Sequence, residues 1–588
     1  MKQAPCRSAR IVPALVIALA LPASRGLADW VPNGNRIDPE PNSNQPWVAA
    51  DPFAGLLVGL GPFSSKFTRV LPGGEVAAGW PVTVTQTFAR VSNPVPDGIA
   101  GAYVALATND DVRVVRLRSD GTPDPSWPTG GLVICNVPGY KYAQAGSDQA
   151  GGAYVIWGDG RNADASTGGF PGEVYGTRVL PDGSVAPGWT AQGTLLAAAP
   201  ESVVIRLGAP RPDGLGGAFA FIQHAHGFLT PQERDDSFLL HFGPDGGPPP
   251  GWPSGGLIPP GLAPGTSFGY EPDGAGGAFL LWNRPQGGTF GSRLLRILSS
   301  GEIAPGWPAD GVPDVADSTR LHFIKALAAD GEGGVFACVA MDTSGISQPN
   351  VMRVLHFDST GEPAADWPAD GRRLPEPPDT NPTWFWQSPQ QIVSDARGGV
   401  FAVWAQTALP NTHTYFAVIG AMHFDRYGAP AAGWPEGGLA VCDTPGQRKD
   451  VQIVADILGG AYVVWNDNRP TDPEGAFFAY ASRLDEFDVL AVDPAAPATP
   501  GLRAGPNPFR EAVSLSLALA EAGNVRLDVL DVSGRIVRRV VSGWLPAGKH
   551  ERAWDGRTDT GREAPAGLYF VRGSIGGRAV GARLVRIR

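Results

Sequence analysis

Apolar and polar positions along most of the chain follow one pattern that returns eight times. Each copy places a glycine four residues after an aspartate and continues into a short apolar run, such as Ala-Tyr-Val-Ile-Trp157. An aspartate that bonds its own backbone, followed by glycine, is typical of a tight turn that enters a buried strand. The repeated aspartates are Asp51, Asp97, Asp148, Asp213, Asp273, Asp330, Asp395 and Asp456.

A second strand follows in each copy and ends in a turn that carries a tryptophan. The turn tryptophans of seven copies are Trp80, Trp127, Trp189, Trp252, Trp307, Trp367 and Trp434. The eighth copy ends near Arg483 without one, whereas Trp30-Val-Pro-Asn-Gly near the N-terminus has the missing form. This split predicts that the first segment completes the last repeat.

Successive repeat glycines lie about 58 residues apart, which is enough for four strands and their loops. Four-stranded sheets repeated about an axis form a β-propeller. We therefore predict an all-β fold with about eight blades over residues 29–488, and seven blades is the alternative count. A series of β-sandwiches or an open solenoid is the rival arrangement, but neither explains the displaced Trp30.

The pattern changes after a Pro/Ala-rich segment, which we predict to be a linker at 489–505. Residues 506–588 alternate apolar and polar positions, as in Val-Arg-Leu-Asp-Val-Leu, which indicates half-buried antiparallel strands. A segment of this length suffices for a small immunoglobulin-like (Ig-like) β-sandwich.

Several short motifs in this segment occur in a fixed order. They are Asn507-Pro508-Phe509, Gly534-Arg535 and Trp554-Asp555-Gly556. With them the segment resembles the Ig-like domain of the flagellar hook-capping protein and the related C-terminal sorting domains of type IX secretion. The resemblance implies that an outer-membrane secretion machinery reads the domain and attaches the body to the cell surface. A passive Ig-like spacer is the alternative.

The N-terminal residues read as a secretory signal peptide over 1–28. Arg7 and Arg10 precede an apolar run that ends at Leu21, and small residues lead to Ala28. The apolar run is too short to span a bilayer. We expect a secreted or cell-surface protein with no transmembrane segment after cleavage of this peptide.

Charge and cysteine usage exclude some partners and cross-links. The net charge is −11, but residues 501–588 hold 15 Lys and Arg against 8 Asp and Glu, so the rest of the chain carries −18. An acidic body argues against nucleic acid as a partner. Cys135 and Cys442 occupy the same position in two repeats, so we predict that they are buried and unbridged.

A cation stands at one register in each repeat, which predicts a structural role. The residues at this register are His241, His356, His423, Arg69, Arg116, Arg178, Arg296 and Arg483. We expect each to cap a turn or to pair with a neighbouring carboxylate, since catalytic sites break repeat symmetry. The repeated aspartates are expected to cap their own turns.

Two loops that break the symmetry carry clustered oxygens. They contain Asp159 with Asp164, and Asp467 with Asp472. Such oxygens suit Ca²⁺, but the spacing lacks the glycine and terminal glutamate of an EF-hand loop. Solvated turn polarity is the interpretation we favour, and no other cofactor is indicated.

Two further asymmetric motifs are Trp384-Phe-Trp386, which could stack on sugar rings or pack in the core, and His224-Ala-His226. We interpret the histidines as ordinary packing or surface residues. We found no nucleophile elbow, phosphate loop or His-Glu-x-x-His motif. The favoured hypothesis is an exported, non-enzymatic binding or structural protein whose partner is an extracellular glycan or protein. The alternative is an extracellular polysaccharide hydrolase or lyase on a propeller scaffold.

Overall fold

The computed structural model describes residues 30–586 with gaps. The gaps are 42–45, 52–54, 61–64, 85–88, 99, 164–169, 199–201, 227–233, 264–265, 287–288, 314–321, 342–350, 376–390, 396, 409–415, 457–458, 474, 485–501, 506–508, 520–522, 532–535, 547, 560, 566 and 576–577. The predicted signal peptide lies outside the described residues. Within them the secondary structure is entirely β, and no helix is long and apolar enough to cross a membrane.

Residues 30–484 form eight antiparallel sheets, which we call blades 1 to 8. The strands of blades 1 to 4 are β2 (Trp47–Asp51), β3 (Gly55–Gly59), β4 (Lys66–Val70) and β5 (Val82–Thr83); β6 (Arg90–Val91), β7 (Val95–Pro96), β8 (Ala102–Ala107), β9 (Val112–Leu117) and β10 (Leu132–Cys135); β11 (Lys141–Ser147), β12 (Ala153–Asp159), β13 (Glu173–Val179) and β14 (Thr194–Ala198); and β15 (Ser202–Leu207), β16 (Arg211–Pro212), β17 (Ala218–His226) and β18 (Arg234–Phe242).

Blades 5 to 8 follow the same plan, and the last includes a strand from the N-terminal segment. Their strands are β19 (Phe268–Pro272), β20 (Ala278–Gln286), β21 (Thr289–Ile297) and β22 (Val312–Pro313); β23 (His322–Ala329), β24 (Val335–Met341), β25 (Val351–Phe357) and β26 (Arg372–Arg373); β27 (Gln391–Ser394), β28 (Val400–Ala408), β29 (Phe416–Phe424) and β30 (Leu439–Cys442); and β31 (Arg448–Ala455), β32 (Ala461–Asp467), β33 (Phe478–Leu484) and β1 (Asn35–Arg36).

Strands of blades 1, 3, 5, 6 and 7 pair in chain order from an inner strand to an outer one, and in blade 8 the outer strand is β1. Blades 2 and 4 differ because their inner position is divided between two short strands, β6 with β7 and β15 with β16. In β3, β8, β12 and β32 every residue is buried, so these strands are covered on both faces. Short β-rich repeats with turns at both ends of each strand are expected to produce such sheets.

The inner strands contact one another around a ring. β7 lies against β2 and β11, β11 against β16, and each of β19, β23 and β27 against the inner strand of the next blade. Between blades 4 and 5, Arg211 donates to the main-chain oxygen of Tyr270 at 2.9 Å. β31 of blade 8 lies against β2 of blade 1.

The N-terminal segment completes blade 8, as the displaced tryptophan predicted. Asn35 pairs with Ala481, and Arg36 pairs with Tyr480. Ile37 is 1% exposed and packs with residues of blades 8 and 1. The N-terminal segment thus gives the last blade its fourth strand.

Apolar side chains from neighbouring blades form the core of the ring. The largest cluster joins blades 4, 5 and 6, and others join blades 2 with 3 and 7 with 8. Each turn tryptophan lies at such a seam. Indole Nε1 atoms donate to main-chain oxygens of the following blade at 2.7–3.0 Å, in the pairs Trp30–Pro72, Trp80–Ser119, Trp189–Pro244, Trp252–Ser299, Trp307–Ser359 and Trp367–Arg426.

The C-terminal segment is a two-sheet sandwich, as predicted. One sheet contains β34 (Leu502–Gly505), β35 (Val513–Leu519) and β38 (Gly548–Trp554). The other has the order β37 (Ile536–Leu545), β36 (Gly523–Leu530), β39 (Gly567–Ile575) and β40 (Arg578–Arg586). β34 falls inside the predicted linker, because its four residues pair with Ser514–Leu517 and so belong to the sandwich.

Candidate functional site

One face of the ring carries the eight aspartate turns, and we call it the turn face. The carboxylate of every repeated aspartate lies 2.5–3.0 Å from the arginine or histidine of the same blade. The pairs are Arg69–Asp51, Arg116–Asp97, Arg178–Asp148, His241–Asp213, Arg296–Asp273, His356–Asp330, His423–Asp395 and Arg483–Asp456. The predicted structural pairing is therefore present in all eight blades.

The same aspartates also cap their turns. In seven blades the second carboxylate oxygen accepts the main-chain N–H of the glycine four residues later at 2.7–2.9 Å. Burial alone would raise the pKa of Asp213. The bonds from His241 and from two main-chain N–H groups outweigh this effect and hold the pKa below its ordinary value of 3.8. The carboxylates of these aspartates therefore stabilise the turns of the scaffold.

Each basic residue also lies opposite a side chain of the neighbouring strand, and Arg296, like the three histidines, faces a phenylalanine. His241, His356 and His423 each stack on a phenylalanine, with ring centroids 3.9–4.2 Å apart. Arg116, by contrast, faces Tyr103, whose hydroxyl donates to the main-chain oxygen of Gly151 in the next blade. A flat imidazole can stack closely and still reach its aspartate.

The loops around Asp159 and Asp467 hold buried ion clusters, and the interpretation of solvated turn polarity is wrong. Asp159 is fully buried and accepts from Arg161 at 2.6 Å and from the Trp157 indole at 2.8 Å. The ammonium group of Lys141, also fully buried, lies 3.4 Å from the same carboxylate. We call these residues with Cys135 the first seam cluster, since Cys135 belongs to blade 2 and the others to blade 3.

The second seam cluster repeats this arrangement between blades 7 and 8. Asp467 accepts from Arg469 at 2.7 Å, from Arg448 at 3.2 Å and from the Trp465 indole at 3.1 Å. The thiol of Cys442 lies 3.7 Å from the carboxylate. Cations and indoles thus contact the carboxylates that the sequence offered to calcium, although Oδ1 of Asp467 accepts no hydrogen bond from the described residues. The described residues hold no group of three or more acidic, histidine or cysteine side chains suited to a metal ion.

Both seam clusters share a sequence signature made of two motifs. Each combines Trp-x-Asp-x-Arg with a preceding Cys-x-x-Pro-Gly-x-(Lys/Arg), which ends at Lys141 in the first cluster and Arg448 in the second. Lys141 and Arg448 pair with Asp159 and Asp467 across adjacent strands of one blade, whereas the cysteine of each motif comes from the preceding blade. The contact between blades therefore completes each cluster. Burial raises the pKa of the Cys135 and Cys442 thiols, and neither cysteine is in a disulfide, as predicted.

The other described candidate residues from the sequence do not come together in one site. Asp472 accepts from the Tyr480 hydroxyl at 3.0 Å and lies 3.4 Å from Arg36, so it belongs to the closing seam. His224 is buried, which lowers its pKa to about 4, and His226 faces Asp236 at 3.2 Å. The candidates Trp384, Trp386 and Asp164 lie outside the described residues.

The described motif residues of the Ig-like sandwich build its core. Phe509 and Trp554 pack edge to face at 5.5 Å, and Trp554 packs on Tyr569 at 4.8 Å. Asp555 accepts from the main chain of Arg557, and Gly556 has φ +70° beside Arg586. Asn507, Pro508, Gly534 and Arg535 lie outside the described residues. The motif is therefore a signature of the fold.

A cavity of about 1150 Å³ lies between the turn face and the Ig-like sandwich. Turn residues of blades 3 to 7 line one side, and Arg526, Asp528, Leu530, Ile536 and Arg572 line the other. The pairs that engage its carboxylates are Glu271–Arg211, Asp273–Arg296, Asp330–His356, Glu332–Arg426 and Asp528–Arg526. Sequence reasoning missed this cavity because no motif links the turns to the sandwich.

The sheet order and these contacts define a β-propeller of eight blades followed by an Ig-like sandwich. A family model for the FlgD Ig-like domain matches residues 509–573. No curated protein matches the chain by sequence.

Several solved structures are similar to this chain at low identity. Prolyl oligopeptidase B from Galerina marginata is 11% identical with a TM-score of 0.38, over 74% of this chain and 56% of that one, so the chain spans little more than half of the oligopeptidase. A PL25 ulvan lyase is 9% identical with a TM-score of 0.33, over 78% of this chain and 96% of the lyase. PorZ, a surface component of the type IX secretion system of Porphyromonas gingivalis, is 11% identical with a TM-score of 0.19, over 92% and 75%. Scores this low carry no functional argument.

Proposed function

We propose that the chain is an exported or cell-surface β-propeller protein with a binding or structural role, carrying a C-terminal domain that sorts or anchors it. The observation that carries the proposal is the FlgD Ig-like match at residues 509–573, placed after an eight-bladed ring. An outer-membrane secretion machinery is the proposed partner of this domain. The ring would present its surface to an extracellular glycan or protein.

The chemistry of the described residues favours binding over catalysis. Glycoside hydrolysis requires two carboxyl groups that flank the scissile bond and act as acid and as base or nucleophile. The described carboxylates that line the cavity are instead each engaged by an arginine or histidine, and the described lining residues include no aromatic side chain. This arrangement gives the hydrolase or lyase alternative no support.

Surface localisation tests the proposed role of the sandwich. Deleting residues 502–588, so that β34 leaves with its sheet, should yield a folded ring that remains inside the cell envelope. Protease accessibility on intact cells measures the location, and circular dichroism checks the fold. Arg552→Gln, an exposed change on β38, is the control that should reach the surface normally.

A fusion separates sorting from a passive spacer. Residues 502–588 attached to an unrelated exported carrier should bring that carrier to the cell surface. Normal surface display of the truncated protein, or a fusion that never reaches the surface, would contradict the sorting role.

A further inference from the structure

The Ig-like sandwich lies over the mouth of the ring on the turn face. The ring side of the cavity includes residues from the inner strands of four consecutive blades, 4 to 7, and we call this part of the lining the ring mouth. Inner strands surround the central channel of a propeller, so the cavity opens into that channel. The residues of the ring mouth are Arg211, Pro212, Glu271, Pro272, Ala329 and Ser394.

The sandwich meets the ring mouth with the outer face of one sheet. Along β36, Val525, Leu527 and Val529 belong to the sandwich core, so the alternate side chains point outward. Outward side chains of a sandwich are ordinarily polar and exposed. Asp528 and Leu530 are instead only 6% and 8% exposed, and both line the cavity. This strand is therefore covered on both faces, by its own core and on the side of the ring.

Arg572 of β39 extends from the same outer face to the turns of blades 7 and 8. One of its terminal nitrogens lies 3.5 Å from the position that a β-carbon would occupy at Gly459. Burial lowers the pKa of this guanidinium group, and the carboxylates of Asp395 and Asp456 oppose the effect. The sandwich thus places a partly buried positive charge beside two acidic turns of the ring.

The net charges of the two domains favour the same contact. Residues 501–588 carry +7 and the rest of the chain carries −18. Complementary charge orients two surfaces, and salt weakens the attraction. Of the sandwich residues that line the cavity, Arg526, Asp528 and Arg572 are charged and only Leu530 and Ile536 are apolar. A contact of this polar kind between domains ordinarily permits them to separate.

We propose that the sandwich is a releasable cap, which closes the ring mouth to a macromolecular partner while the outer face of β36 and β39 is docked on the turn face. Separation of the two domains would open the mouth and expose the inner-strand residues that line it. The contact is therefore an autoinhibitory device built into the fold. This inference goes beyond the proposed export role and does not depend on it.

Chemical labelling of the purified full chain tests the cap. Ala329→Cys places a thiol in the ring mouth, and Asp110→Cys places one in an exposed hairpin between β8 and β9. The described native cysteines are all buried, so an introduced thiol should react first. A polyethylene glycol maleimide of several kilodaltons should modify the Asp110→Cys variant rapidly. It should modify the Ala329→Cys variant about tenfold more slowly or less, because the docked sandwich excludes it.

A charge reversal should release the cap. Added to Ala329→Cys, Arg572→Glu brings a negative charge to Asp395 and Asp456, so the labelling rate should rise by about tenfold or more. Raised NaCl should increase the rate in the parent background. Arg552→Glu, the matched reversal on the exposed surface of the other sheet, should leave the slow rate unchanged. Circular dichroism of each variant verifies that the fold is intact.

Two results would overturn the proposal. Labelling of Ala329→Cys as fast as that of Asp110→Cys would show that the mouth is open in the full chain. A slow rate that neither Arg572→Glu nor salt increases would show that the contact is not a releasable one. If Arg572→Glu does not fold, Arg572→Gln and the salt series on the parent background decide the same question. None of these outcomes bears on surface localisation, which is measured separately.

Discussion

The turn face and the two seam clusters both hold a buried aspartate against basic side chains. They differ in how many blades carry the arrangement. The turn face repeats its pair in every blade, whereas the seam clusters lie between blades 2 and 3 and between blades 7 and 8. The first arrangement fixes a turn within one blade. The second also contacts a cysteine of the preceding blade, so it lies at a seam of the ring.

The two seam clusters differ in the segment whose main-chain oxygen accepts from the second arginine, Arg161 or Arg469. Arg161 donates to the main-chain oxygen of Gln192, which belongs to the same repeat. Arg469, the equivalent arginine, donates to the main-chain oxygen of Asn33, which is more than four hundred residues away in sequence. Asn33 and Gln192 also share a positive φ of 68° and 72°. The ring is therefore closed by the side-chain contacts that an internal seam uses.

Removing residues 30–37 is expected to have the largest effect, because it takes β1, the Trp30 indole bond and the buried Ile37 from the closing seam. Loss of one large buried side chain costs about 2–5 kcal/mol, so the free energy of unfolding should fall by about 5 kcal/mol or more. Urea unfolding followed by tryptophan fluorescence measures the change. A stability equal to that of the parent would show that the ring does not need this segment.

Breaking the seam clusters should have the next largest effect. Asp467→Asn leaves the fully buried Arg448 without its carboxylate, and removal of one partner of a buried pair costs about 3–5 kcal/mol. Asp159→Asn is the matched change at the internal seam and should cost a similar amount.

Hydrogen exchange should distinguish the two seam variants. Asp467→Asn should release the main-chain amides of residues 33–37, whereas Asp159→Asn should leave them protected. Equal exchange of this segment in both variants would contradict the closing role of the second cluster.

The turn face should give a smaller, pH-dependent effect. Hydrogen bonds from histidine hold the pKa values of Asp213, Asp330 and Asp395 below 3.8 despite burial. A depressed carboxyl pKa contributes stability above the unfolded value, and this contribution is lost as the pH falls through the folded value. Urea midpoints should therefore decline below about pH 4.

Asp213→Ala is expected to lower stability by about 1–3 kcal/mol at pH 7 and to reduce the decline in acid. Leu215→Ala, a neighbouring exposed position, is the control. An unchanged acid profile in Asp213→Ala would show that this aspartate does not contribute to the decline.

The smallest effect is expected from replacing one scaffold cation with the other. His241→Arg installs the residue that five blades already use at this register, so the pair with Asp213 can form again. The stacking on Phe219 is lost, and we expect a change of about 1 kcal/mol. A loss as large as that of Asp213→Ala would mean that stacking, rather than the ion pair, holds this turn.

Much of the architecture was predictable because the same sequence pattern occurs in every repeat. The spacing of the turn glycines and the displaced Trp30 led to eight blades and to the completion of the last blade by the N-terminal segment. The cations at His241, Arg116 and their equivalents were correctly interpreted as scaffold residues, since their register was constant. The FlgD Ig-like domain was evident from its ordered motifs.

Contacts between separate motifs were beyond the sequence pattern. Asp159 and Asp467 looked like solvated loop residues because Lys141 and Arg448 stand on the adjacent strand, and the two cysteines stand in the preceding blade. Residues 502–505 looked like linker because a four-residue strand has too little pattern to predict its pairing.

The sequence by itself determined the repeating unit, its turns and its cations, because local turn chemistry and strand periodicity act over a few residues. Only the tertiary structure decided which of these groups meet. Packing of blade 8 on blade 7 brings Cys442 to Asp467, and closing the ring brings Asn33 to Arg469. The position of the sandwich places Arg572 near Arg397, beside Gly459. Such contacts depend on how blades and domains pack, and that packing is set by apolar surfaces spread over the whole chain.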